Sequence, residues 1–90
     1  MAIFKANTEI EFNKVVSNLK KLGCVWATDF PNHEPTFKEC KGFYHGNSKL
    51  LIHTFFNDIT NRHEMSAATM SVLTTYPQYK GLNLKKEIRS

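Results

Sequence analysis

The sequence predicts a single α+β domain spanning residues 1–90, in which one main amphipathic helix packs on an antiparallel sheet of four or five strands, with a short second helix near the C-terminus. Three observations carry that expectation. Between Thr8 and Trp26 a helix start, a helical apolar period, a glycine stop and a strand follow one another without a gap. Beyond them, short apolar runs alternate with turn signals. Finally, 41% of the 90 residues are hydrophobic and 12% aromatic, with seven Phe, which suits one modest core and is too apolar for a disordered chain.

The elements follow in chain order. Ile3 between Ala2 and Phe4 reads as an opening strand. Thr8 stands three residues before Glu11, the spacing of a capping box, in which a hydroxyl and a carboxylate satisfy free backbone N–H groups of the first turn. Phe12, Val15, Val16, Leu19 and Leu22 then recur at helical spacing, and Gly23 ends the helix because it tolerates a left-handed backbone. Cys24 to Thr28 is β-branched and aromatic and reads as the returning strand, with Trp26 expected to lie against Phe12, Val16 and Leu19. Pro31 and Pro35 argue against a regular element in the first half of Asp29 to Gly42, which is read as a long loop. Phe43-Tyr44-His45 and Lys49 to Phe56 flank Gly46-Asn47-Ser48 and are read as a β-hairpin. Asn57-Asp58 and Thr60-Asn61 mark a further turn, His63 to Ala67 the next strand, and the segment between Ser66 and Tyr76 a short helix closed by Pro77. Leu82 to Ile88 alternates as a last edge strand with its lysines outward.

Twelve Lys plus Arg against eight Asp plus Glu give a formal charge of +4, a mild bias and no polybasic field. No segment has the length and apolarity of a membrane span, and Met1 to Lys5 leads into a polar helix start, so the chain is expected in the cytoplasm. Cys24 and Cys40 are then expected as free thiols. No repeat, linker or low-complexity tract divides the chain.

At this point the order of residues resembles small accessory proteins encoded by bacteriophages and prophages of Gram-positive bacteria. The matching residues are Glu9-Ile10-Glu11-Phe12, Leu19-Lys20-Lys21-Leu22-Gly23, Trp26, Lys49-Leu50-Leu51-Ile52 and Tyr76-Pro77. All of them are scaffold positions. The resemblance implies a protein that acts on a host protein inside the host cell, as an inhibitor of an antiviral defence component such as a CRISPR nuclease. The long segment from Asp29 to Gly42 and the Met65-to-Thr75 segment depart from the pattern and are where a specific partner would be read.

Chemistry is thinly represented. Cys24, His33, Cys40 and His45 form C-x8-H-x6-C-x4-H, with His53 or His63 as substitutes, but that spacing belongs to no common zinc finger. Cys40 beside Glu39 and Lys41 is the best-placed nucleophile, yet no glycine-rich loop offers an oxyanion site. The chain is therefore read as a non-enzyme without metal or cofactor. A protein-binding surface is expected at Phe37, Lys38, Lys41, Phe43, Tyr44 and Lys49, where aromatic anchors meet lysines. The alternative is a small nucleic-acid-binding module, in which Phe43-Tyr44 and Phe55-Phe56 stack bases beside the same lysines. Self-association through edge strands is a third route.

Overall fold

The computed structural model describes residues 2–27, 33–43 and 48–89. Strand β1 (Ala2–Lys5) opens the chain and helix α1 (Glu9–Lys21) follows. Thr8 caps α1 as its spacing predicts, its Oγ1 accepting from the Glu11 N–H at 3.1 Å. The Glu11 carboxylate reaches one residue further back than a standard capping box and accepts from the Asn7 N–H at 3.0 Å. Phe12, Val15 and Leu19 are buried and Val16 is half-buried, whereas Leu22, at the C-cap and past the last helical residue, is 81% exposed. Gly23 takes φ +89°, the left-handed stop that the sequence calls for.

Strand β2 (Val25–Trp26) comes next, then helix α2 (Phe37–Phe43), then the long antiparallel pair β3 (Leu51–Asn57) and β4 (Arg62–Ala68). Short helix α3 (Met70–Leu73), a 3-10 turn at Pro77–Tyr79, helix α4 (Leu84–Glu87) and strand β5 (Ile88–Arg89) complete the fold. The strands lie in the order β2-β4-β3-β1-β5.

The five strands form one sheet, but it is mixed and not antiparallel: β2 runs parallel to β4 and β5 parallel to β1. The cause is the unit that predicts the fold. A helix that crosses a sheet face returns the chain in its starting direction, so β1 and β2 point the same way. The antiparallel β3–β4 pair is inserted between them.

Three further expectations are corrected. The second half of the Asp29-to-Gly42 segment is helix α2, begun by a reciprocal box in which Thr36 Oγ1 accepts from the Glu39 N–H and Glu39 Oε1 from the Thr36 N–H. The hairpin of Phe43-Tyr44-His45 with the following strand does not form as read, since Phe43 closes α2 and β3 is flanked by β1 and β4. Tyr44, His45, Gly46 and Asn47 lie outside the described residues. Leu82 to Ile88 is mostly helix α4, and only Ile88–Arg89 pairs at the sheet edge.

Alternation along β3 sends Leu50 and Ile52 to one core and Leu51 to another on the opposite face of the sheet. The first core holds Phe12, Val15, Leu19, Cys24, Cys40 and Met65 under α1 and α2. The second holds Ile3, Ala68, Leu73, Tyr79 and Leu84 under the C-terminal segment. Trp26 stacks on Phe12 at 6.0 Å but stays half-buried, because β2 is an edge strand with a neighbour on one side only.

Candidate functional site

Of the six residues expected to meet a partner, the five that the structure describes fall into two groups. Phe37 is half-buried and meets Phe12 edge-on at 5.8 Å, so it anchors α2 to the first core. Lys41 is a brace: its Nζ donates to Asn7 Oδ1 and to the Ser48 carbonyl, while Asn7 Oδ1 also accepts from the Leu50 N–H at 2.9 Å. That small network ties α2 to the chain entering α1 and to the chain entering β3. Lys38, Phe43 and Lys49 are exposed, Phe43 by 70%. Glu9, Phe37, Lys38, Lys41 and Gly42 line an open hollow along this face. Among the described residues Lys38, Lys41 and Lys49 form no ion pair, and Lys38 and Lys49 are exposed while the Lys41 ammonium is held on Asn7 and Ser48. Tyr44 lies outside the described residues.

The metal and nucleophile candidates do not assemble into a site among the described residues. Cys24 and Cys40 are both buried free thiols. Burial pushes the Cys40 thiol up to about 11, with the Glu39 charge adding to it, which is the reverse of what a nucleophile needs. His33 Nε2 lies 2.9 Å from Glu39 Oε2. Among the described residues no three His, Cys, Asp or Glu side chains converge as a metal site would require, and His45 is not among them.

A cleft that sequence reasoning missed lies on the second face of the sheet. The C-terminal segment covers the β1 side of that face and leaves the far half of β3 and β4 open. A cavity of about 300 Å³ remains there, floored by His53, Phe55 and Asn57 of β3 and by Glu64 and Ser66 of β4, with Tyr76 and Gln78 as one wall. Cross-strand register explains the floor, since His53 pairs with Ser66 and Phe55 with Glu64.

Two polar groups in this floor are buried. His53 is 2% exposed, its Nδ1 lies 3.1 Å from Tyr79 Oη, and its Nε2 has no hydrogen-bond partner among the described residues. Desolvation pushes its pKa down to about 4, so the ring is neutral near pH 7. Glu64 is covered at the rim by its own partners and not by depth: Asn57 Nδ2 donates to Oε1 at 3.0 Å, and Thr60 Oγ1 and Arg62 Nε each donate to Oε2 at 2.8 Å. Those bonds, led by Asn57, hold its carboxyl below the ordinary range. The signal for this site was the alternation Leu51, His53, Phe55, which places a histidine among residues that face a core.

Among the described residues, no helix is long and apolar enough to cross a membrane. Comparison of the chain with protein-family models, curated proteins and solved structures returned no match.

Proposed function

We propose that this protein is a phage-type accessory module that binds a host protein and blocks it, docking the exposed face of α2 on an acidic surface of that partner. The observation that carries the reading is Phe43, 70% exposed at the end of α2, with Lys38 and Lys49 exposed in the same region. A large ring supplies an anchor, and flanking cations supply steering toward negative charge. Phe37 and Lys41 hold the face rigid, which limits the entropy lost on docking. An antiviral defence protein such as a CRISPR nuclease is the target class that the phage resemblance offers.

A nucleic-acid platform is less well supplied. Phe55 and Phe56 point to opposite faces of the sheet, and Phe43 sits on a helix, so among the described residues Phe43, Phe55 and Phe56 do not share one sheet surface.

The test is affinity capture from host lysate with tagged protein, beside the double variant Phe43→Ala, Lys38→Glu. Both positions are exposed, so the variant should melt as the parent does. A partner held by the parent, lost with the variant and released by salt supports the reading. Equal capture by both chains removes it. Fluorescence anisotropy against random DNA and RNA tests the alternative: salt-sensitive binding that survives Phe43→Ala would replace the protein partner by nucleic acid.

A further inference from the structure

We propose that the cleft over β3 and β4 is a binding site for a small, uncharged, amino-bearing nitrogen heterocycle of nucleobase size. The first support is His53. The residue is 2% exposed at the edge of an open cavity, and its Nε2 has no hydrogen-bond partner among the described residues. Tyr79 fixes the tautomer. The Tyr79 hydroxyl is 4% exposed as part of its residue, and His53 Nδ1 is its single hydrogen-bond partner among the described residues. If the phenol accepted from Nδ1–H, its own proton would be left without an acceptor, so the phenol donates and the imidazole proton sits on Nε2. The cleft therefore offers an N–H donor at its inner end. A ligand meets it with a ring nitrogen or a carbonyl oxygen.

The opposite end has the complementary character. Glu64 Oε1 accepts from Asn57 alone among the described residues, so it retains capacity for a second donor. An exocyclic amino group fits that position. Aromatic rings surround the inner end: Phe55 stacks on the His53 ring at 5.3 Å and Tyr76 lies tilted by 39° at 5.4 Å, and a planar ring that takes the place of Tyr76 would stack in the same cluster. The Ser66 hydroxyl makes one long contact, 3.4 Å to the Ala67 carbonyl, and can turn to a ligand.

Charge and size narrow the class. Among the described residues no lysine or arginine lines the cavity, and Arg62 is held on Glu64, so a phosphate would meet a carboxylate with no lining cation to pair with. A volume of about 300 Å³ is at the small end of ligand pockets. Base or nucleoside therefore fits better than nucleotide. Nε2 is buried and Tyr76 packs on the ring that carries it, so a ligand that pairs with it swings Tyr76 outward. Tyr76 is half-buried, and its hydroxyl makes no hydrogen bond among the described residues, so ring contacts are all that must break.

The experiment is a titration of ¹⁵N-labelled protein with adenosine, cytidine and guanosine, followed by amide and imidazole shifts, with uridine and adenosine monophosphate as controls. Saturable shifts at His53, Phe55, Ser66 and Tyr76 are expected for at least one amino nucleoside, with Kd between about 10 μM and about 1 mM. The His53 Nε2 proton should slow its exchange, and Ser66→Tyr should weaken binding at least about tenfold. Should Ser66→Tyr fail to fold, Ala27→Phe at the rim serves the same purpose. Absence of saturable shifts with all three amino nucleosides would overturn the proposal, as would equal binding by the blocked chain. Tighter binding of uridine or of the monophosphate would overturn the assigned ligand class.

Discussion

A neutral imidazole buried at His53 makes folding depend on pH in a window of its own. Its ordinary pKa is 6.5 and burial brings it to about 4 in the folded chain. Between those values the unfolded chain binds a proton that the folded chain does not, so stability is full above about pH 6.5 and falls as the pH drops toward 4. At about 1.4 kcal/mol for each pH unit, the total loss is about 3 kcal/mol. Glu64 and Glu39 are held below the ordinary carboxylate value of 4.5, so their contributions are present above that value and are lost at lower pH. Of these three groups, only His53 acts in the interval from 6.5 to 4.5. Urea denaturation at about pH 7 and about pH 5 should show the fall. His53→Gln should flatten it, since Gln keeps an acceptor for Tyr79 without titrating. A slope that persists in that variant would assign the dependence elsewhere. Cys40 supplies a second residue-scale expectation: a thiol reagent should modify it only on unfolding, because it is fully buried and its thiol is raised to about 11. Labelling at equal rates with and without denaturant would contradict that placement.

At the scale of the element, α2 is short and depends on its ends. Thr36 and Glu39 begin it, and Lys41 straps its last turn to Asn7 and Ser48. Thr36→Ala should cost about 1 kcal/mol through loss of the cap. Lys41→Met should cost about 1 kcal/mol, while Lys38→Met, which removes the same charge from an exposed position, should stay within about 0.5 kcal/mol. Thermal melts of the three variants would check the order. Equal effects at the two lysines would mean that Lys41 is not a brace.

For the whole molecule, the sheet separates two cores, and Phe12 fastens three elements to the first. It stacks on Trp26 of β2 and meets Phe37 of α2 from its place on α1. Phe12→Ala should cost about 3 to 5 kcal/mol, a large share of what a domain of this size possesses. A melting temperature lowered by only a few degrees would contradict that role. Both edges of the sheet are strands of two residues, Val25–Trp26 and Ile88–Arg89. Such short edges offer few backbone groups for strand addition, so sedimentation at micromolar concentration should return a monomer of 10.4 kDa. A concentration-dependent dimer would point back to self-association.

The sequence by itself determined what adjacent residues decide. Thr8, Glu11 and Gly23 mark the ends of α1, and the periodicity between them marks its buried side, because capping and helical period act over a few residues. The turn at Asn57 to Asn61 and the strand after it were legible for the same reason. The box at Thr36 and Glu39 was also written in the chain, but Pro31 and Pro35 masked it by marking the whole segment as loop. Only the tertiary structure decided the rest. Which strands become neighbours depends on contacts between residues distant in the chain, so local pattern could not give the parallel pairs β2–β4 and β5–β1. Phe37 and Lys41 look like surface anchors until Phe12, Asn7 and Ser48 arrive from elsewhere to occupy them. The cleft follows from the same cause. His53, Glu64 and Tyr76 are unremarkable in sequence, and they meet because β3 and β4 pair in one register while the C-terminal segment covers only half of the face they share.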